Sequence, residues 1–375
     1  MRALRPVGEA IPASGGADLE PLAGRDLSFF GSGTMALAAI LKAIIQRSSV
    51  IGTPEIIMPA YTCPDVVSAI AFAGAKAVLV DLERDRPWMS LTALKGALSP
   101  NAVALVAVNF QGIDERLADL RVLCDSVGLP LVYDHCQAYP PSDIAMRCSD
   151  ALVFSFGRGK PASALVGGAL WVADSALEAS VEGVATSGAV SAPSALKRLA
   201  YNLLIHPRAY SVLLRLPGLS IGETVFHPLH RLATLDTGGI AAVSAAIAQH
   251  LRATDFEARR ALWSAGLSSV PEWRDLPSEC KADASRSLLR YTVLAPSSEA
   301  REFALNRLER IGLGATRLYP RPVNEIPGTK EHVVVHDSTG SASDFADRIL
   351  TLPIHSHVKK VDIDQTVCVL QDAVD

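Results

Sequence analysis

Short continuous runs of apolar residues alternate with helix-like stretches along the first half of the chain. The runs that predict buried strands cover residues 27–30, 55–59, 75–80, 102–110, 130–133 and 151–156. Helical patterns lie between them at residues 35–46, 64–73, 91–98 and 115–127. Because apolar strands that alternate with helices are typical of a mostly parallel sheet covered on both faces, we predict an α/β domain.

The pattern changes after Asp174. Residues 196–219 are apolar with interleaved basic residues, and they predict an amphipathic helix pair broken at Pro207. This segment fits a subunit interface or a core helix, and a membrane-surface segment is the alternative.

The last third of the chain predicts a second, smaller domain. One long helix is expected over residues 238–266, with the domain boundary inside it. Strands are then expected at residues 288–294 and 332–335, and helices at residues 299–311 and 344–350. We therefore predict an N-terminal arm over residues 1–26, a large domain over residues 27–250 and a compact α+β domain over residues 251–375.

Composition narrows the class of protein. The chain has 375 residues, of which 49% are hydrophobic, so a large core can be buried. The net charge of −4 with mixed signs gives no electrostatic basis for nucleic-acid binding. The six cysteines lack metal-site spacing, no apolar signal core opens the chain, and no apolar run reaches the ~20 residues that span a bilayer. We therefore expect a cytoplasmic protein with reduced thiols and without a metal site.

One lysine has an unusual sequence context. The apolar strand at residues 151–156 breaks at a Gly-Arg-Gly turn, presents Lys160, and is followed by a glycine pair at 167–168 and a second apolar run. This framing would hold one amine at the end of a sheet. A lysine that forms a Schiff base needs such a position, because its amine must be held and kept partly uncharged to attack a carbonyl. A solvated loop lysine is the alternative.

A carboxylate upstream of the lysine points to a cofactor. The strand at residues 130–133 ends on Asp134, at the kind of strand end where open α/β sheets bind ligands. An aspartate about 26 residues before a loop lysine, each at the end of a parallel strand, suggests pyridoxal phosphate (PLP). The aspartate would keep the pyridine nitrogen protonated, and the lysine would carry the cofactor as an imine.

A glycine-rich turn precedes the first helix. Residues 31–34, Gly-Ser-Gly-Thr, open the helical pattern, and the unpaired N–H groups of such a turn form an anion site. The spacing also fits a relaxed dinucleotide fingerprint, but the preceding strand is very short. The acidic residue about 20 positions on, Glu55, opens a strand rather than ending one. A phosphate group of PLP satisfies the same turn.

Five segments together resemble the DegT/StrS group of PLP-dependent sugar aminotransferases, which have fold type I. They are GSGT at 31–34, PAYTC at 59–63, GAKAVLVD at 74–81, DHCQ at 134–137 and SFGRGK at 155–160, in the order that the group shows. The match extends from about residue 28 to the C-terminus and is loose between about 175 and 280. The resemblance implies a PLP-binding large domain and a smaller C-terminal domain.

The resemblance also implies roles for individual residues. It implies that Lys160 is the Schiff-base lysine and later the proton shuttle, that Asp134 is the partner of the pyridine nitrogen, and that Gln137 helps to hold the phenolic oxygen of the ring. Taken alone, Gln137 could instead bridge a loop, and Ser155 could bond its own strand. Phosphate binding, which suits hydroxyl and backbone N–H donors, is implied for Gly33, Thr34, Met35 and Ser155.

Several positions depart from the pattern of the group. Cys63 replaces the aromatic residue that would stack on the ring, so either its sulfur packs there or Tyr61 takes over. Cys136 replaces a small residue under the ring. His135 either titrates near the cofactor or, as we favour, is a packed and hydrogen-bonded side chain. Arg158 is interpreted equally well as a ligand of the phosphate or a substrate anion and as a surface ion pair.

These features predict a homodimeric PLP aminotransferase with its sites near the subunit interface. The expected donor is an amino acid such as glutamate, and the expected acceptor, by analogy with the group, is a keto sugar attached to a nucleotide. Relatives that act as dehydratases carry histidine in place of the lysine, and Lys160 argues against that branch. Two alternatives stay open: another PLP reaction on a non-sugar substrate, and a non-catalytic or membrane-docked relative, which residues 196–219 suggest.

Overall fold

The strands form a large sheet and a small one. The computed structural model describes residues 3–7, 9–12, 22, 24–213 and 224–374. The strands are β1 (Ser28–Phe30), β2 (Glu55–Pro59), β3 (Lys76–Val80), β4 (Ala102–Val108), β5 (Leu131–Asp134), β6 (Ala151–Ser155), β7 (Gly168–Val172), β8 (Ala189–Val190), β9 (Thr234–Leu235), β10 (Arg274–Asp275), β11 (Tyr291–Leu294), β12 (Val333–Val335) and β13 (Ile349–Leu352). The ten-stranded sheet has the order β12-β3-β2-β4-β5-β6-β7-β1-β9-β8, and the three-stranded sheet has the order β10-β11-β13.

Helices separate most of the consecutive strands. They are α1 (Gly33–Arg47), α2 (Pro64–Ala73), α3 (Leu91–Gly96), α4 (Leu117–Val127), α5 (Asp143–Cys148), α6 (Ser175–Glu182), α7 (Ala195–Ile205), α8 (Pro207–Leu213), α9 (Thr237–Leu251), α10 (Phe256–Leu267), α11 (Leu276–Glu279), α12 (Ser298–Ile311), α13 (Gly340–Arg348) and α14 (Lys360–Asp372).

The centre of the large sheet is parallel and buried on both faces. β3, β2, β4, β5 and β6 run in one direction, whereas β7 and β1 are antiparallel to their neighbours. Ile56 and Val132 belong to one core cluster, and Ile57 and Tyr133 belong to another. Alternate side chains of the same strands thus enter different cores, which is why the strands are apolar throughout. The predicted α/β sheet is confirmed.

The small sheet has its own core. β11 is antiparallel to β10 and β13, and its Tyr291 packs at a centroid distance of 5.8 Å against Trp263 of α10. Residues of α12 and α14 complete the same buried cluster. A smaller α+β unit therefore follows the large sheet, as the pattern predicts.

Three predictions for the C-terminal part are wrong in detail. The helix expected over residues 238–266 is two helices, because α9 ends at Leu251 and α10 begins after Asp255. Residues 333–335 form β12, which pairs with β3 at the edge of the large sheet instead of joining the small domain. The helix expected at residues 344–350 ends at Arg348, and Ile349 opens β13. Pairing with a distant strand decides the last two cases, and such pairing overrides local propensity.

The basic and apolar segment forms the predicted helix pair as far as the structure describes it. α7 and α8 meet at Pro207, and residues 214–223 lie outside the described residues. Leu196, Leu199 and Leu203 are exposed along one side of α7. None of the helices that the structure describes is long and apolar enough to cross a membrane.

The described part of the N-terminal arm joins separate regions of the chain. Ala3 N donates to the Pro207 carbonyl at 3.1 Å, and Leu4 N donates to the Gly312 carbonyl at 2.7 Å. Glu9 accepts a hydrogen bond from Arg259 at 2.8 Å. The arm therefore crosses from α8 to the small domain.

Candidate active site

One strand end and one loop bring the predicted catalytic residues together. Asp134 is the last residue of β5, next to β6 in the sheet. The loop that carries Lys160 follows β6, and a hydrogen bond of 2.9 Å from Phe156 N to the Gly167 carbonyl closes it. Because β5 and β6 are parallel, their ends bring the aspartate and the lysine loop to the same edge of the sheet.

The first turn of α1 keeps free backbone donors. Ser32 caps the helix, since its hydroxyl accepts a hydrogen bond of 3.2 Å from Met35 N. The amide of Thr34 has no acceptor among the described residues, as is usual for the start of a helix. The bridge that pairs Ser32 with Gly167 directs the Gly33 amide towards the Gly167 carbonyl. The structure therefore offers one free amide at the predicted anion site, while the amide of Met35 is already engaged.

This turn lies directly against the end of β6. A Cβ atom on Gly33 would lie 2.8 Å from Ser155 Cβ and 2.9 Å from Cys136 Sγ, so a glycine is needed for this approach. The Ser155 hydroxyl and the first turn of α1 thus meet in one small region, where the hydroxyl and the free amide of Thr34 are donors that suit a phosphate.

The carboxylate of Asp134 is fixed by its own loop. Asp134 is 8% exposed, and its Oδ1 accepts a hydrogen bond of 3.0 Å from Cys136 N. Asp134 and Lys160 act together on the same neighbours: the aspartate raises and the lysine lowers the pKa of Cys63 and of Cys136, whose pKa values burial raises most strongly. The two predicted catalytic groups therefore share one electrostatic environment.

Two cysteine thiols belong to that environment. Burial raises the pKa of Cys63 to about 12, and the nearby Asp65 acts in the same direction. Burial also raises the pKa of Cys136 well above its ordinary value. Both side chains are therefore neutral thiols at physiological pH and not nucleophilic thiolates.

Asp65 is a charged group that the motifs did not indicate. It lies in the first turn of α2, directly after Cys63. Burial raises the pKa of Asp65, whereas Lys160 and then His227 lower it. A second carboxylate thus lies within electrostatic reach of the lysine amine. The Pro-Asp pair after the PAYTC segment was the available signal in the sequence.

Gln137 links the large sheet to the small domain. Its Oε1 accepts a hydrogen bond of 2.9 Å from Gln111 N, and its Nε2 donates to Tyr319 Oη at 3.1 Å. Tyr319 was not singled out by the sequence. Gln137 therefore has the bridging role that was left open, and its contact with a cofactor ring stays a prediction.

Tyr61 lies in an aromatic cluster within the core that packs on the large sheet. It is 3% exposed and packs against Phe110, Tyr319 and Phe345, with centroid distances from 5.4 to 6.0 Å. Its hydroxyl donates to the Tyr319 carbonyl at 3.0 Å. Of the two candidates for the ring-facing position, this packing favours Cys63 over Tyr61.

His135 is a packed core side chain. It has no exposed surface and lies against the rings of Tyr133 and Phe154. Arg286 Nη2 lies 3.0 Å from His135 Nε2, and Arg286 Nη1 donates to Asp114 Oδ2 at 2.9 Å. Burial, followed by the charge of Arg286, lowers the pKa of His135 to about 4, so the ring is neutral at physiological pH. The geometry supports the packed interpretation of this histidine.

Arg158 is exposed two residues before the lysine. No carboxylate of a described residue lies within ion-pair distance of it. Burial raises the pKa of Tyr201, whereas Arg5 and Arg158 lower it, so these two arginines lie near the same ring. The surface ion pair is therefore absent from the described part of the chain, and the anion-binding role of Arg158 stays a prediction.

A cavity opens between the lysine and the small domain. Its lining includes Lys160, His250 and Arg259, together with Glu9 of the N-terminal arm. Glu9 also accepts a hydrogen bond of 3.0 Å from Ser356 N, which holds the arm against the small domain. The lysine thus faces a space that the arm and the small domain enclose.

The residues present fit PLP. The free amide of Thr34 and the Ser155 hydroxyl suit its phosphate, and the buried carboxylate of Asp134 suits its ring nitrogen. Lys160, whose amine would form the imine, lines the cavity beside the small domain. The fold and this set of groups define a PLP-dependent enzyme of fold type I.

Comparison with known proteins gives the family. The model of the DegT/DnrJ/EryC1/StrS aminotransferase family matches residues 28–206 and 240–371, which is most of the chain. The protein belongs to this family, and its enzyme class is that of the PLP-dependent aminotransferases.

Solved structures share the fold at low sequence identity. DesV from S. venezuelae, in complex with a ketimine intermediate, is 21% identical, with 92% of this chain and 84% of that chain covered and a TM-score of 0.65. DesI, in the presence of its TDP-sugar product, is 19% identical, with 92% and 80% covered and a TM-score of 0.68. A putative sugar aminotransferase from Streptococcus pneumoniae, in its PMP form, is 18% identical, with 92% and 87% covered and a TM-score of 0.69.

Proposed function

We propose that Lys160 and Asp134 carry the amino transfer, in which an amino group passes from an amino acid to a keto acceptor at this edge of the sheet. The observation that supports the proposal most directly is the convergence of three elements: the end of β5, the lysine loop and the first turn of α1. In a protein of an aminotransferase family, these elements would bring a carboxylate, an amine and backbone amides to one place.

The chain supplies the groups that would hold the cofactor. Asp134 would accept a hydrogen bond from the protonated ring nitrogen, and the amide of Thr34 would bind the phosphate together with the Ser155 hydroxyl. Cys63 would border the ring. When bound, PLP supplies an electron-withdrawing ring that stabilises negative charge at the substrate carbon.

Lys160 would act as the acid and base. Lys160 lines the cavity, where its amine would take a proton from the substrate carbon and deliver it to the C4′ carbon of the cofactor. Lys160 lowers the pKa of Asp65, so this carboxylate lies within electrostatic reach of the amine. The neutral thiols of Cys63 and Cys136 do not compete as bases.

We extend the proposal to the substrates. An amino acid such as glutamate would be the donor, and a nucleotide-linked keto sugar would be the acceptor. The TDP-sugar product named for DesI supports a sugar acceptor. The changed residues at Cys63 and Cys136 motivate a second candidate, a non-sugar keto acceptor on the same scaffold.

The function is tested with Lys160→Ala. The purified wild type is expected to show the visible absorbance of a PLP imine and to lose it when glutamate is added. Lys160→Ala is expected to lack the imine band and to transfer amino groups roughly 100- to 10,000-fold more slowly, because the base is missing. Absorbance spectra and single-turnover amination measure both effects.

Lys95→Ala is the matched control, since Lys95 is an exposed lysine on α3. Its spectrum and rate are expected to equal those of the wild type, and both variants should unfold at the wild-type urea concentration. An unchanged spectrum in Lys160→Ala would exclude this lysine. Amination of the cofactor by glutamate without transfer to any nucleotide keto sugar would favour the non-sugar acceptor.

We also propose a homodimer. Leu196, Leu199 and Leu203 form an exposed apolar stripe on α7, which favours a contact with a second copy over membrane docking. Sedimentation equilibrium is expected to give the mass of a dimer. A monomer that binds anionic vesicles in a salt-sensitive manner would support the membrane alternative.

A further inference from the structure

An arginine of the small domain carries a charge that the described residues do not balance. Arg290 directly precedes β11, and its Nη1 donates hydrogen bonds to Thr316 Oγ1 at 2.6 Å and to Thr351 Oγ1 at 3.3 Å. Both partners are neutral hydroxyl groups. No carboxylate of a described residue lies within ion-pair distance of this guanidinium.

The opposite edge of the guanidinium is open. Arg290 Nε is buried and has no hydrogen-bond partner, and Nη2 donates to none of the described residues. Nε and Nη2 are parallel donors on one edge of the planar group, which is the arrangement that binds a carboxylate or a phosphate through two hydrogen bonds. The threonine hydroxyls hold the other edge, so the open edge has a fixed direction.

Because the edge is buried, its lack of a hydrogen-bond partner destabilises the folded protein. Burial lowers the pKa of Arg290 to about 10, yet the group remains charged at neutral pH. A buried cation without a counterion is destabilising, because neither water nor a carboxylate compensates the lost hydration. An anionic ligand would supply the missing counterion.

The open edge belongs to the neighbourhood of the cofactor site. Arg290 and Tyr319 interact electrostatically, and the Tyr319 hydroxyl accepts the hydrogen bond from Gln137. Burial raises the pKa of Tyr319 well above its ordinary value, and Cys63 and Asp134 add to that effect. Arg290 and the residues proposed to hold the ring therefore act electrostatically on the same tyrosine.

A second arginine adds positive charge nearby. The guanidinium of Arg5, in the N-terminal arm, lies 5.3 Å from the ring centroid of Tyr201 and 5.4 Å from that of Tyr210. Burial raises the pKa of Tyr210, whereas Arg5 and Arg290 both lower it, so both arginines act on the same hydroxyl group. Two cations around shared tyrosines make this wall of the site attractive to anions.

We propose that Arg290 is a substrate-binding residue whose Nε–Nη2 edge binds an oxyanion of the small-molecule substrate, either a carboxylate of the amino donor or a phosphate of the acceptor. The inference rests on the proposed function, because it assigns the anion to a substrate of that site. The geometry sets Arg290 apart from Lys160, which acts on the reacting carbon, and makes it a determinant of which substrates bind.

The experiment measures binding of two unreactive probes to the holoenzyme. Glutarate represents a dicarboxylate donor without its amine, and inorganic pyrophosphate represents a nucleotide phosphate. Isothermal titration is expected to show saturable binding of at least one probe to the wild type. Arg290→Met is expected to weaken that binding roughly 10- to 100-fold, the value of charge-assisted hydrogen bonds to one guanidinium.

Arg290→Lys tests whether binding needs the two parallel N–H donors or only the positive charge. Lysine keeps a positive charge but lacks two parallel donors, so most of the loss should remain in this variant. Arg301→Met is the matched control: Arg301 is a buried arginine of the same domain that donates to the Asp347 carbonyl and pairs with Glu302. It is expected to reduce stability without changing the affinity for either probe.

The outcomes are distinct. Loss of glutarate binding alone assigns the edge to the donor carboxylate, and loss of pyrophosphate binding alone assigns it to a phosphate of the acceptor. Unchanged binding in Arg290→Met, or a wild type that binds neither probe, overturns the inference. A wild-type holoenzyme that binds a probe through Arg290 but is not aminated by any amino acid would contradict the proposed function and leave the anion site standing.

Discussion

Two arginines four positions apart show how differently this protein treats a buried cation. Arg286 donates to Asp114 at 2.9 Å, to the Pro140 carbonyl at 2.6 Å, and lies 3.0 Å from a nitrogen of His135. Arg290 donates only to two threonine hydroxyls among the described residues. The Nε atoms of both arginines are buried and have no hydrogen-bond partner, so the two groups differ in their counter-charge and not at Nε.

The difference separates a structural cation from one available to a ligand. The partners of Arg286 are fixed protein groups, so its charge is used in joining the two domains. At Arg290 the protein supplies orientation but no counter-charge. A charge that the protein leaves unbalanced next to its cofactor site is a charge that a substrate can balance, at a stability cost that the fold has to offset elsewhere.

The largest expected effect is on stability. Arg286→Met would leave the partly buried Asp114 without its cation, so the free energy of unfolding is expected to fall by about 3 kcal/mol. Arg290→Met removes a charge that has no partner, and it is expected to stay within about 1 kcal/mol of the wild type. Urea unfolding of the cofactor-free proteins measures both, and equal losses would refute the distinction.

A smaller effect is expected in the pH dependence of stability, through the cluster formed by Arg286, Asp114 and His135. The pKa of His135 is about 4 in the folded protein and about 6.5 in the unfolded chain. Between these values only the unfolded chain binds the proton, so stability should fall as the pH is lowered from about 6.5 towards 4. His135→Gln keeps a neutral hydrogen-bonding group and should remove about 2 kcal/mol of that fall.

The measurement compares urea unfolding at about pH 7 and about pH 5 for the wild type and His135→Gln. A loss below about pH 4 should persist in the variant, because Asp114 titrates there: burial alone would raise its pKa, but the charge of Arg286 and several hydrogen bonds outweigh burial and lower it. An identical pH dependence in both proteins would show that His135 does not titrate with unfolding.

Local sequence patterns predicted the elements that carry the cofactor side of the site. β2 and α2 have the predicted bounds, and Asp134 closes its strand as expected. Apolar runs and glycine turns are local features, so a short window of sequence is enough to recognise them. The break at residues 252–255 was missed, because a helical pattern continues across it.

The substrate side of the site was not predictable in the same way. Tyr319 and Arg290 lie far from Gln137 in the chain and reach it only through the packing of the two domains. Nothing in the residues around Arg290 shows whether a carboxylate will lie beside it. Asp65, which the sequence analysis missed, directly follows the PAYTC segment and Pro64, so it could have been found from the sequence.

The sequence by itself determined the parallel sheet, the order of the motifs, and the choice of lysine and aspartate, because these depend on local periodicity and on residues a short distance apart. Only the tertiary structure decided that β12 joins the large sheet, that His135 is packed against Arg286, and that Arg290 has no acid beside it. The physical reason is that burial and charge balance depend on which distant segments meet. Arg286, which is paired with Asp114, and Arg290, which has no carboxylate beside it among the described residues, are the same residue type in the sequence and differ only in their neighbours.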